Sequence, residues 1–74
     1  MNIKANDYEP HEILKFMRQS TGKTQKEFGK DIKKSKDWVQ SNELGRSDYK
    51  FKDILKLANK NDIEIRIVDK NEKK

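Results

Sequence analysis

No cysteine occurs among the 74 residues, so neither a disulfide nor a thiolate zinc site can supplement the core. Glycine appears three times and proline once, and no glycine-rich loop suited to cradling phosphate is present. The single histidine, His11, falls at the start of a helical pattern and reads as a surface residue rather than a ligand or base. The carboxylates are dispersed among lysines, as on a solvated face. An enzyme is therefore not expected, and neither is a metal or a cofactor. No apolar run approaches the roughly 20 residues that cross a bilayer. The beginning, MNIKANDYEP, lacks the apolar stretch of a signal peptide, so no membrane association and a cytoplasmic location are expected.

What the chain does have is charge. Charged residues make up 42% and apolar residues 31%, with a net charge of +5, a balance that favours polyanionic partners. A chain this short buries only about 60% of its unfolded surface, so tight helix packing or self-association has to supplement the core. The composition alone leans toward disorder, but the apolar residues are patterned, and the pattern predicts one folded domain spanning 1–74.

Residues 1–8 form a polar lead and 9–61 a helical core. Asp7 or Glu9 can start the first helix, with Pro10 in its first turn, a stripe of Ile13, Leu14, Phe16 and Met17, and Gly22 as a left-handed stop. Thr24 followed by Glu27 is a capping box for a second helix, on which Phe28 and Ile32 share one face. Gly29, unfavourable inside a helix, predicts a close approach to the next one. Lys33 and Lys34 make a corner, Ser35 caps a third helix ending near Glu43, and Leu44-Gly45 closes it. Ser47 or Asp48 is expected to cap a fourth helix carrying Phe51, Ile54, Leu55, Leu57 and Ala58, with Asn61 as its left-handed end. The period then switches to two over Ile63-Glu64-Ile65-Arg66-Ile67, a strand signature within 62–68, before a charged tail at 69–74.

The joint spacing of Arg18, Thr24-Gln25, Phe28, Gly29, Ile32, Ser35, Val39, Glu43, Gly45 and Arg46 resembles the lambda-repressor-like helix-turn-helix family of the Xre/Cro type. The resemblance covers residues 13 to about 63, with the helix-turn-helix at about 24–43. It implies a mainly α fold: four helices in a compact helix-turn-helix domain, here with one C-terminal strand. Three positions depart from the family pattern: Lys23, the Lys33-Lys34 corner and Asn42 stand where apolar or small residues are usual. Trp38, one helical turn from Asn42, is a candidate to cover the resulting gap.

In related proteins the third helix, here about 36–43, enters the major groove, which maps base contacts onto Lys36, Asp37, Gln40 and Ser41. Lysine suits guanine acceptors, glutamine suits adenine and aspartate can accept from cytosine. Gln25 matches a phosphate-contacting position at a helix start. Lys23, Lys26, Lys34, Arg46 and Lys50 can neutralise phosphates, with Ser35 beside them at the helix cap. Trp38 can plug the core, stack on the sugar-phosphate edge or touch a thymine methyl. Each of these residues also suits an ordinary solvated helix. Arg18 and Glu43 resemble the family's pair that joins helix 1 to the end of helix 3, a positioning role.

A lone strand cannot satisfy its own backbone, so Ile63, Glu64, Ile65, Arg66 and Ile67 are expected to dock on the helices and pair across a two-fold dimer. The competing pairing is with residues 1–5 of the same chain. The function expected is sequence-specific binding of double-stranded DNA at a palindromic operator, by a small homodimeric repressor of bacterial, phage or mobile-element type. The alternative is an antitoxin or anti-repressor module whose main partner is a protein such as a toxin. RNA is a weaker partner, because its deep major groove excludes a helix.

Overall fold

The computed structural model describes residues 2–71. A turn of 3-10 helix at Ala5–Asp7 precedes four α-helices: α1 (Pro10–Thr21), α2 (Gln25–Lys30), α3 (Lys36–Glu43) and α4 (Phe51–Lys60). The domain is mainly helical and small. Met1 and residues 72–74, the end of the expected charged tail, lie outside the described residues.

Local chemistry sets each helix start. Glu12 reaches back to accept from the Glu9 N–H at 2.9 Å, while Pro10 occupies the first position, where no N–H is needed. At α2 the capping box is complete: Thr24 Oγ1 accepts from Glu27 N at 3.1 Å, and Glu27 Oε1 accepts from Thr24 N at 2.9 Å. The backbone bond from Thr24 holds the Glu27 carboxyl below its ordinary pKa. Ser35 Oγ accepts from Trp38 N at 3.1 Å and starts α3.

The start of α4 differs from expectation. Neither Ser47 nor Asp48 caps it; the helix begins at Phe51, with Asp53 accepting from Lys50 N at 3.0 Å. The intervening residues are tied elsewhere. Ser47 Oγ bonds Ser41 Oγ at 2.7 Å, and Tyr49 donates its hydroxyl to the Pro10 carbonyl at 2.5 Å.

All four helices close near a residue with positive φ: Gly22 (75°), Lys33 (59°), Gly45 (78°) and Asp62 (57°). Asn61, expected in that role, has φ −113°. Its amide is instead drawn to Asp31 Oδ2 at 3.0 Å and Leu57 O at 2.9 Å, which passes the left-handed step to Asp62. At Lys33, Lys33 N donates to Lys30 O at 3.2 Å and Lys34 N to Gly29 O at 2.9 Å. That is a Schellman closure with lysine in the usual glycine position.

The core comprises Leu14 and Met17 of α1, Phe28 of α2, Val39 of α3, and Ile54, Leu57 and Ala58 of α4. Ile13, Ile32, Trp38, Tyr49 and Ile63 pack around it. Phe16 is only half-buried and meets the Tyr8 ring edge-on at 5.0 Å. Phe51 and Leu55 belong to the apolar period of α4 yet lie outside the core, 62% and 40% exposed.

Among the described residues there is no strand, neither at 62–68 nor at 2–5. Ile63 does dock, its N–H bonded to Ala58 O at 2.9 Å and its side chain against the core. Ile65 and Ile67 do not: they are 39% and 94% exposed. Leu57 and Ala58 are already buried within the four helices, and among these isoleucines Ile63 alone packs against that core.

Candidate nucleic-acid interface

Helix α3 is narrow in its apolar content and is held by two neighbouring helices. Its core contact is Val39, fully buried, and it packs on both α1 and α2. Gly29 permits the close crossing of α2: a Cβ there would sit 2.7 Å from Lys34 O, 3.0 Å from Ser35 O and 3.1 Å from Val39 Cγ2. The backbone of the corner thus occupies the volume that a side chain would need.

The far end of α3 is fixed by a polar junction. Arg18 donates side-on to Glu43, Nε to Oε2 at 2.6 Å and Nη2 to Oε1 at 3.0 Å, and Nη1 reaches Lys23 O at 3.1 Å. Gln25 Nε2 donates to the same Glu43 Oε1 at 3.2 Å. One carboxylate therefore ties α1, the start of α2 and the end of α3. The bond to Glu43 raises the Arg18 pKa further, against the opposing effect of burial. Bidentate geometry of this kind sets orientation as well as energy.

The outward residues of α3 are Lys36, Asp37 and Gln40, all exposed and without a hydrogen-bonding or ion-pairing partner among the described residues. Ser41 is half-buried, and its hydroxyl is engaged by Ser47, so it presents less to a ligand than its sequence position implies. Ser35 is exposed but spent on the helix cap. Lys26, Lys34 and Arg46 are exposed, with Lys34 Nζ 5.5 Å from the centre of the Trp38 ring. Trp38 is half-buried against the core and at the same time forms the platform under that ammonium.

Two assignments change. Lys23, expected as a free cation, is half-buried and paired with Asp31 Oδ2 at 2.8 Å. Gln25 is half-buried and committed to Glu43, which makes it a link between helices first.

The Asp31 carboxylate also accepts from Asn61, thirty residues on, and so joins the end of α2 to α4. Burial works against its charge, but the bonds from Lys23 and Asn61, with Lys60 nearby, leave its pKa lowered overall. This cluster had no local signature in the sequence.

Asn42 is 1% exposed. Its amide donates to Trp38 O at 2.8 Å, while Oδ1 has no partner among the described residues. Trp38 thus meets Asn42 through its backbone carbonyl.

Family models, curated proteins and solved structures give no match to this chain. Among the described residues, no cluster of three or more His, Cys, Asp and Glu side chains could hold a metal ion, and no helix is long and apolar enough to cross a membrane.

Proposed function

We propose that the chain is a small sequence-specific DNA-binding regulator of lambda-repressor-like type, acting as a homodimeric repressor with α3 in the major groove. The observation that carries this reading is a helix pinned at both ends whose outward side chains have no work within the fold. The Ser35 cap and the Gly29 crossing hold the start of α3, and the Arg18–Glu43–Gln25 junction holds its end. Lys36, Asp37 and Gln40 then face solvent as one donor, one acceptor and one side chain that is both. The net charge of +5 supplies long-range attraction to a polyanion, and the exposed Lys26, Lys34 and Arg46 supply phosphate contacts.

Asp37 would repel phosphate, so its role is selection of a base that donates, such as cytosine. Dimerisation through the C-terminal segment would set two copies of α3 on half-sites about one helical turn apart.

The test is enrichment of bound duplexes from random DNA, followed by the same measurement on variants. Gln40→Ala is expected to relax preference at one base position. Lys26→Ala should weaken all sequences alike and reduce the log–log salt slope by about 0.9. No enriched sequence with the parent chain, or unchanged preference in Gln40→Ala, would defeat the proposal.

A protein-binding role of antitoxin or anti-repressor type is the second reading. It is favoured by Phe51 and Leu55 of α4 and by Leu44, at 62%, 40% and 54% exposure. That role predicts that Phe51→Ser abolishes capture of a protein partner and leaves DNA selection intact.

A further inference from the structure

Beyond Ile63 the chain presents Ile67 and Val68 at 94% and 73% exposure, with Ile65 partly covered at 39%. Among the described residues, the backbone groups of Glu64 to Val68 enter no backbone hydrogen bond. Glu64 and Arg66 lie together, Oε1 to Nε 3.1 Å, both about three-quarters exposed at 74% and 73%. The i, i+2 contact places these two charges on one side of the segment, and on pairing as a strand Ile65 and Ile67 would fall on the other. Unpaired backbone beside alternating isoleucines is a template for another strand.

We propose that residues 63–67 pair antiparallel with the same residues of a second copy, with the two-fold axis passing at Ile65. The inference rests on the dimeric reading above and specifies its interface. In this register Ile65 faces the partner's Ile65, and Ile63 faces the partner's Ile67. Glu64 faces the partner's Arg66, and Arg66 the partner's Glu64. The four charges alternate in sign around a square, each glutamate lying between its own arginine and the other chain's.

The competing registers lose this complementarity. Parallel in-register pairing sets glutamate against glutamate and arginine against arginine, which disfavours it. Sliding the antiparallel pair by two residues brings either Glu64 or Arg66 against its own copy. Sliding by one residue sets isoleucines against charges. The sequence of five residues thus selects orientation, register and an identical partner together.

The chain contains no cysteine, so single cysteines report the register without interference. Directly opposed strand residues fall within the roughly 4.4–6.8 Å between Cα atoms that a disulfide spans. Ile65→Cys should cross-link to itself under mild oxidation, with and without a selected DNA duplex. Ile63→Cys and Ile67→Cys should each remain without a cross-link alone and cross-link when mixed. Self-linking of either one, with no mixed product, would mean parallel pairing and overturn the register.

Charge exchange is the second arm, read by sedimentation. Glu64→Arg and Arg66→Glu should each weaken the dimer about tenfold, equivalent to about 1.4 kcal/mol. The double exchange should restore it, whereas a double variant no tighter than the singles would overturn the charge pairing. A parent chain that sediments at 8.8 kDa with and without DNA overturns both this pairing and the dimeric part of the proposed function. Cross-linking as expected in a chain that selects no DNA sequence leaves the pairing standing and removes the DNA reading alone.

Discussion

Arg18 and Glu43 lie twenty-five residues apart in sequence and meet side-on, with bonds of 2.6 and 3.0 Å on the two edges of one carboxylate. The Glu43 side chain retains 4% of its surface and Arg18 retains 18%, so removing either one strands the other. Glu43→Ala is expected to cost about 3 kcal/mol, the low end for a broken buried pair because Arg18 keeps some water. Replacing both by apolar residues, Arg18→Met with Glu43→Leu, should cost less than either single alanine in urea unfolding. A double variant as unstable as the sum of the singles would contradict this.

Gly29→Ala should destabilise the domain even though alanine is the better helix former by up to ~1 kcal/mol. The new methyl would meet the backbone oxygen of Lys34 at 2.7 Å, and backbone gives way less readily than a side chain. A net loss of about 1–3 kcal/mol follows for overpacking of this kind. The same displacement would move α3 relative to α2, so DNA affinity should fall further than stability does. A gain in melting temperature for this variant would contradict the close crossing.

Asn42→Leu should stabilise. The two side chains have the same branching and similar reach, and leucine removes an acceptor that is buried without a partner. Relief of that desolvation corresponds to about 1–3 kcal/mol. In a domain of this size each kcal/mol raises the melting temperature by roughly 4–8 °C. Calorimetry on the variant measures it directly, and an unchanged or lowered melting temperature would show that losing the amide bond to Trp38 O outweighs the relief at Oδ1.

Asp31 should govern part of the acid limb. Its folded pKa is lowered, so its contribution is present above the ordinary carboxylate value of about 4 and is lost as pH falls through the lowered value. As pH falls below about 4, Asp31→Asn should therefore lose less stability than the parent chain, while starting from a lower value at neutral pH. Glu27 acts with the same sign, so adding Glu27→Gln should flatten the curve further. Parallel urea-midpoint curves for parent and Asp31→Asn over this range would rule the role out.

Features that depend on neighbouring residues were legible in the sequence. Thr24 with Glu27, Ser35 before α3, Pro10 at the first turn of α1 and Gly22 at its end each act within three residues of their partners. The crossing at Gly29 was legible because glycine inside a helix needs a reason. The start of α4 was not, since Ser47 is held by Ser41 and Tyr49 by Pro10, and local preference cannot register either bond. The same applies at Lys23 and Asn61, whose shared partner Asp31 is distant from both in sequence. The isoleucine alternation predicts a face docked on the helices, but alternation reports a two-sided segment and does not say what lies against it.

Residues 64 to 68 contribute no side chain to the core that folds the domain. Their sequence is therefore released from the constraint of core packing and, in the proposed pairing, would answer to the other copy. A duplicate of this chain with the two charges of the segment exchanged would fold as before and would still match itself. Against the parent chain it would set like charges opposite one another. Two such regulators could work side by side without forming mixed pairs, separated by two side chains on an otherwise unchanged body.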